Sequence, residues 1–218
     1  FNPGWPEDAI SKVVELGYLN QQATRELINR VSEGKGMPEK IVADIIEKTD
    51  GIPLFVEELT RAMLENPAFS DWENIDDGDS PPAIPGTLQD SLNARLDHLG
   101  AAKEIAQVGA AIGREFRQDL LLAVVDKPPE LVDAALQKLV SAQLVSSRGV
   151  PPHRVYVFKH ALMQDTAYGS LLHSTRRRLH AHIARTLAQR FRGQVQGRPD
   201  LLAHHYTEAR LHEPAFRY

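Results

Sequence analysis

The sequence predicts a mainly α-helical protein with one short β-hairpin, and three observations support this fold class. Apolar residues recur at helical spacing along most of the chain, for example at positions 41, 42, 45 and 46. The period changes to alternation at 144–148 and 154–158, two short strands around a Gly/Pro-containing turn. An acidic, proline-rich stretch separates two helical parts. We therefore expect a small helical bundle, a winged-helix domain with its β-hairpin, and the start of a repeat-like helical hairpin.

The first part, residues 1–65, contains three predicted helices. The first covers 18–34 and ends at Gly34, with Leu19, Ala23, Leu27, Ile28 and Val31 on one face. The second covers roughly 38–48, and the third covers 53–65 with Pro53 in its first turn. Three short helices bury little apolar surface, so we expect this bundle to rest against a neighbouring domain.

Residues 66–86 form a predicted tether. They combine acidic residues with Pro67, the pair Pro81-Pro82 and Pro85, and they offer almost no apolar periodicity. Within them, Phe69, Trp72 and Ile75 are spaced to form one short turn. The charge also changes here, because residues 1–86 carry 7 Lys/Arg against 17 Asp/Glu and residues 87–218 carry 18 against 12. This asymmetry favours two separate bodies.

The second part divides into a winged-helix domain, 87–172, and a helical hairpin, 173–218. Thr87 is placed to cap a helix that ends before Gly100, and further helices are predicted at 101–112, 117–125 and 130–143. The two strands follow directly, and a helix begins after the second strand, near His160. Segments 174–192 and 199–211 then form a helix pair, which is typical of the entry to a helical-repeat array.

Composition and missing motifs restrict the function. The 218 residues include no cysteine, which excludes disulfides and thiol catalysis and fits the cytoplasm. No apolar run approaches the roughly 20 residues that cross a bilayer. No G-x-x-x-x-G-K-[ST] string is present, so we expect no catalytic residue here and no nucleotide binding by the segment alone. The chain opens without methionine, and we interpret it as a fragment that follows an upstream strand.

One stretch points to a family. It is Gly51-Ile52-Pro53-Leu54-Phe55-Val56-Glu57-Glu58-Leu59, a helix start after a sharp corner. It resembles the corner that closes over adenine in the helical lid of STAND-type (AAA+-related) regulatory ATPases. The resemblance implies that Gly51, Ile52 and Pro53 contact a nucleotide whose main site belongs to a missing upstream domain.

A second motif lies where the second strand meets the next helix. The family often has Met-His-Asp at this junction, and here the triplet is Lys159-His160-Ala161. The resemblance implies that His160 contacts the β-phosphate of ADP in the resting state, whereas the aspartate is absent and Asp165 does not replace it. Imidazole has a pKa near 6.5, so a phosphate favours its charged donor form.

Further motifs at 84–92, 112–116 and 202–209 extend the resemblance. Together they resemble bacterial ATPase modules found behind class III adenylate or guanylate cyclase domains and ahead of TPR-like repeats. The family implies ATP or ADP with magnesium in the parent protein, an upstream nucleotide-binding domain as partner, and downstream repeats that bind a protein or small-molecule signal.

Two other functions remain open, a DNA-binding regulator and a protein-interaction scaffold. Between Ser174 and Arg192 there are six arginines and no acid, which suits phosphate binding. However, the helix at 130–143, which would enter the major groove, offers Glu130, Asp133, Gln137 and Lys138. We therefore do not expect specific DNA binding. The helix pair at the end of the chain supports the scaffold alternative.

Adjacent carboxylates and neighbouring histidines in this sequence are interpreted as structural residues and not as catalytic or metal-binding ones. Glu57 and Glu58 are adjacent on a helix, so their side chains point apart and suit the helix dipole. His180 and His182, like His204 and His205, lack i, i+4 spacing and an evident third ligand. We expect no metal site, and packing of His204-His205 in a groove between helices.

Overall fold

The computed structural model describes residues 17–66, 84–151 and 153–216. It is mainly helical with one three-stranded antiparallel sheet, which confirms the predicted fold class. The chain divides into two compact units, Phe1–Ser91 and Leu92–Tyr218. Residues 1–16 and most of the predicted tether, including Phe69, Trp72 and Ile75, lie outside the described residues. Within the described ranges, no helix combines the length and hydropathy that a membrane crossing needs.

The first unit contains helices α1 (Gln21–Val31), α2 (Glu39–Thr49) and α3 (Pro53–Glu65). α1 begins three residues later than predicted because the side chain of Asn20 caps it, accepting a hydrogen bond from the Ala23 amide at 2.8 Å. The buried core draws on all three helices: Ile28, Ile41, Val42, Ile45, Phe55, Val56, Leu59, Ala62 and Met63. Half-buried Ile84 packs against this core, and its carbonyl accepts a hydrogen bond from Lys48 Nζ at 2.8 Å.

Helix α4 (Leu88–His98) begins after Thr87, as the sequence predicts. The Thr87 hydroxyl accepts a hydrogen bond from the Asp90 amide at 3.1 Å and donates one to the Asp90 carboxylate at 2.7 Å. The hydroxyl thus caps the N-terminus of α4 by accepting the Asp90 amide.

The second unit has the element order of a winged helix. Helix α5 (Ala102–Ile112) precedes strand β1 (Glu115–Arg117), helices α6 (Gln118–Val124) and α7 (Pro129–Ser141), and the hairpin of β2 (Val145–Arg148) and β3 (Val155–Phe158). The sheet order is β1-β3-β2, with both pairs antiparallel. β3 is therefore the central strand.

Strand β1 was missed by the sequence analysis, which had started a helix at Arg117. Three residues are too few to show alternation, and their pairing with β3, Phe116 opposite Tyr156, is set by tertiary contact. Phe116 is the centre of this packing, with ring centroids 5.7 Å from Tyr156 and 5.8 Å from Phe158. Gly109 of α5 accommodates the ring, because a Cβ there would lie 2.8 Å from Phe116 Cε1.

Helices complete the second unit: α8 (Ala161–Gly169), α9 (His173–Arg190), α10 (Arg192–Val195), α11 (Pro199–Glu208) and α12 (His212–Ala215). α9 packs against α11, the helical hairpin that the sequence predicts. α11 ends at Glu208 rather than at 211, since Arg210 adopts a left-handed conformation with φ 58°.

Candidate functional site

The corner between α2 and α3 is formed by two consecutive left-handed residues, Asp50 with φ 47° and Gly51 with φ 69°. The chain then turns back, and the Ile52 amide donates to the Thr49 carbonyl at 2.9 Å. A second backbone bond, from the Leu19 amide to the Gly51 carbonyl at 2.8 Å, ties the corner to the segment before α1. The corner is thereby held in one conformation from both sides.

Only glycine fits at position 51. A Cβ on Gly51 would lie 2.2 Å from the Leu19 carbonyl oxygen, far inside van der Waals contact, and the positive φ disfavours any L side chain. Gly51 is buried, so the Leu19 backbone occupies the space that a side chain would need. The sequence indicated the turn but contained no signal for its partner, Leu19.

The corner directs two apolar side chains outward. Ile52 is 38% exposed, and Pro53 is exposed at the first position of α3, where its missing N–H costs no helical hydrogen bond. A groove of about 460 Å³ lies beside the corner, lined by residues that include Leu19, Arg25 and Gly51. Arg25 pairs with Glu39 through two hydrogen bonds, at 2.9 and 2.5 Å.

The two glutamates that follow the corner have different environments. Glu57 is half-buried and accepts hydrogen bonds from Arg61 one turn later, the nearer at 3.1 Å. Glu58 is only 2% exposed. The two side chains thus point apart, as their adjacent positions on a helix require.

His160 lies in the second unit, two residues after β3 ends and one before α8 begins. Its backbone is extended, with φ −122° and ψ 138°, and its carbonyl accepts the Met163 amide at 3.2 Å in the first turn of α8. The side chain is half-buried. The backbone on both sides of His160 is thus fixed by regular structure.

Two exposed basic residues lie at the same end of the sheet. Lys159 immediately precedes His160, and its Nζ donates to the side-chain oxygen of Gln143. Arg114 directly precedes β1, and its carbonyl accepts the Phe158 amide at 3.0 Å, which places Arg114 opposite Phe158 across the sheet. A half-buried imidazole can donate hydrogen bonds to an anionic oxygen.

The predicted site residues thus fall into two groups. Gly51, Ile52 and Pro53 form one corner of the first unit, and His160 belongs to the second unit. Asp165, which the sequence analysis had set aside, is exposed on α8. Each group is held by its own backbone hydrogen bonds.

The structure also brings together three histidines that sequence analysis had considered only as neighbouring pairs. His180 of α9 lies beside His204 and His205 of α11, so α9 supplies the third residue. His205 is fully buried in the groove between the helices, whereas His204 is exposed. Burial lowers the pKa of His180 to about 4 and that of His205 to about 3. Both rings are therefore neutral at pH 7.

Helix α7 lies where a winged helix has its DNA-recognition helix, and two of its polar side chains make hydrogen bonds within the unit. Lys138 Nζ donates to the Leu99 carbonyl at 2.9 Å, and Gln118 donates to the Asp133 carboxylate at 2.6 Å. Leu131 is 61% exposed on the outer surface.

Comparisons with known proteins include a distant relative. No protein-family model matches the sequence. An uncharacterised protein from Rhizobium meliloti (strain 1021) is 27% identical over 148 residues, which cover 66% of this chain. The same stretch is 14% of the Rhizobium protein, so the chain spans a small part of the length of its relative.

Proposed function

We propose that this chain is the helical lid and winged-helix segment of a STAND-type signal-transduction ATPase. In this proposal an upstream domain of the same polypeptide binds ATP or ADP with magnesium. The segment changes arrangement with the nucleotide state and passes that change to a fused output, such as a nucleotide cyclase, or to another effector. Downstream TPR-like repeats would receive a protein or small-molecule signal. The compartment would be the cytoplasm.

The observation that carries the proposal is the glycine–proline corner. Gly51 is fixed by the Leu19 backbone, and the fixed corner holds Ile52 and Pro53 outward at the start of α3. An exposed, rigid apolar edge suits contact with the flat face of a base, because little conformational freedom is lost on binding.

His160 supports the proposal from the second unit. Regular backbone fixes its position at the junction between β3 and α8. A hydrogen bond from a charged imidazole to a phosphate contributes about 1.5–3 kcal/mol, comparable to typical allosteric coupling energies. His160 would therefore act as a latch that favours the ADP-bound state.

The comparison also supports the proposal that this chain is a segment of a larger protein, because the aligned stretch makes up 14% of the Rhizobium relative. That protein's name gives no activity, so the ATPase assignment depends on the motifs and the corner geometry. The isolated segment would bind nucleotide weakly or not at all, because its sequence has no phosphate-binding loop.

Substitution of Pro53 in the parent polypeptide tests the base contact. Pro53→Ala removes two ring carbons, so we expect fluorescent ADP to bind about 3–10-fold more weakly. Pro129→Ala is the matched control, because Pro129 also stands at the first position of a helix, α7. The control should bind ADP like the wild type. Equal affinities for both variants and the wild type would contradict the assignment of Pro53 to the nucleotide site.

A further inference from the structure

The histidines of α9 and α11 form a compact group, here called the histidine cluster: His180, His204 and His205. One ring nitrogen from each residue lies within 4.8 Å of the others. His180 is 1% exposed and His205 is fully buried, whereas His204 faces the surface. The cluster therefore has two buried members and one that solvent reaches.

A chain of hydrogen bonds assigns the proton positions in the cluster. The Tyr168 hydroxyl donates its proton to Glu208 Oε2 at 3.2 Å, so its oxygen is left to accept from His180 Nε2, 3.0 Å away. His180 Nδ1 then carries a lone pair, and it lies 2.8 Å from His205 Nδ1, which must be the donor. His180 thus directs a lone pair into the cluster.

At the end of this series of hydrogen bonds, one ring nitrogen of His205 has no partner among the described residues. Because its Nδ1 carries the proton, its Nε2 holds a lone pair, and this atom is buried without a hydrogen-bond partner among the described residues. Buried polar atoms without a partner are rare in folded proteins. The hydrogen-bonded arrangement of neutral histidines therefore leaves one buried acceptor, His205 Nε2, without a partner among the described residues.

We propose that the histidine cluster binds a nitrogen-preferring divalent metal ion, Zn²⁺ in the first instance, with His180, His204 and His205 as ligands. Imidazole nitrogen is a preferred ligand of zinc, copper and nickel, whereas calcium and magnesium prefer oxygen. Three protein ligands and one open position, on the exposed side of His204, match the usual tetrahedral coordination of zinc.

Metal binding would require ring movements of up to about 1.5 Å, because the ligand nitrogens now lie within 4.8 Å of one another. Zn–N bonds of about 2.0–2.1 Å in tetrahedral geometry place ligand nitrogens about 3.3 Å apart. His180 Nδ1 and His205 Nδ1 are now 2.8 Å apart, so the rings would separate by about half an ångström as the metal replaces their hydrogen bond. The proton on His205 Nδ1 would move to Nε2, so the ligand stays neutral and Nε2, which has no hydrogen-bond partner among the described residues, becomes an N–H group.

Tyr168 and Glu208 would form the outer shell of this site. Metal-bound histidines generally donate their second ring N–H to a carboxylate or other acceptor, which fixes the tautomer and the ring orientation. His180 Nε2 already has such a partner in the Tyr168 hydroxyl, and Glu208 holds that hydroxyl in turn. The metal would join α9 to α11, with α8 behind them.

Zinc titration of the tag-free, chelator-treated chain tests the proposal by isothermal calorimetry. His204→Ala removes an exposed ligand without opening a cavity, Tyr168→Phe removes only the outer-shell hydroxyl, and His182→Ala is the matched control. His182 is exposed on α9 and is not a member of the cluster. Mg²⁺ serves as the control ion.

We expect one Zn²⁺ per wild-type chain. The dissociation constant should rise at least about tenfold in His204→Ala and about 10–100-fold in Tyr168→Phe, and it should stay within about twofold in His182→Ala. The proposal would be overturned if the wild type did not bind Zn²⁺ at 1:1 stoichiometry or bound Mg²⁺ with comparable affinity. It would also be overturned if His204→Ala and His182→Ala lost equal affinity for Zn²⁺, or if the affinity of His204→Ala or Tyr168→Phe were unchanged.

Discussion

Replacement of Gly51 by alanine should destabilise the first unit more than the same replacement at Gly34. Both glycines have positive φ, 69° and 73°, so alanine at either position incurs a similar backbone penalty of about 1–2 kcal/mol. At Gly34 a Cβ would meet no atom within 4 Å, whereas at Gly51 it would lie 2.2 Å from the Leu19 carbonyl oxygen. The two variants therefore differ in the clash alone.

The clash at Gly51 must be relieved by moving the segment before α1 or the corner itself. Forced overpacking costs about 1–3 kcal/mol, and the hydrogen bond from the Leu19 amide to the Gly51 carbonyl contributes about 1 kcal/mol if it breaks. We therefore expect Gly51→Ala to cost about 2–6 kcal/mol in total. Gly34→Ala should cost about 1–2 kcal/mol.

Hydrogen exchange is the suitable assay, because it reports opening of the first unit independently of the rest of the chain. The opening free energy of amides in α2 and α3 should fall by about 1–4 kcal/mol more in Gly51→Ala than in Gly34→Ala. Equal losses in the two variants would refute the argument, since the Leu19 backbone would then not restrict position 51.

Two further predictions concern the second unit. His180 and His205 have folded pKa values of about 4 and about 3, against about 6.5 when unfolded, so the unfolded chain binds more protons below pH 6.5. The contribution of these two histidines to the free energy of unfolding should therefore be constant above pH 6.5 and should fall by up to about 4 kcal/mol between pH 7.5 and pH 5, as measured by urea titration. A free energy of unfolding that does not change over this range would contradict the burial of neutral rings. Arg95→Met removes a 2.5 Å hydrogen bond to the Ala142 carbonyl and should lower the free energy of unfolding by about 1.5–3 kcal/mol. The control Arg185→Met replaces an exposed arginine and should change the free energy of unfolding by less than about 0.5 kcal/mol. Similar urea midpoints for these two variants would show that the bond contributes little.

The pH profile depends on charges that face the two buried rings from three helices. Arg176 and neighbouring His204 oppose protonation of His180, and Glu208 favours it. The Tyr168 hydroxyl contacts the same ring and stays protonated at neutral pH, because burial and the Glu208 carboxylate raise its pKa. Burial is the largest cause of the low pKa of both histidines, so the sign of the effect does not depend on these neighbours.

Local patterns were sufficient to predict most helices. The third predicted helix, 53–65, matches α3, since Pro53 marks its first position and apolar spacing marks its length. The hairpin at 144–158 was also predicted, because alternation and the turn at Gly149 are features of neighbouring residues. Such features depend on backbone preferences that act over a few residues.

Features that depend on distant residues were not predictable in the same way. β1 is defined by its pairing with β3, about 40 residues later in the chain, and the partner of Gly51 is Leu19. The histidine cluster joins His180 of α9 to two residues of α11, about 25 residues later in the chain, so local spacing did not predict it. The positions of Gly51, Ile52 and Pro53 at a corner followed from sequence, whereas their contact with a nucleotide remains a prediction.

Release of ADP from the parent polypeptide tests the central claim most directly. His160→Ala should speed ADP dissociation by about tenfold or more and raise basal output, because a charged hydrogen bond of about 1.5–3 kcal/mol is lost. The matched control, His173→Ala, alters an exposed histidine at the start of α9 and should leave the rate unchanged. An ADP dissociation rate in His160→Ala equal to that of the wild type would contradict the proposed latch.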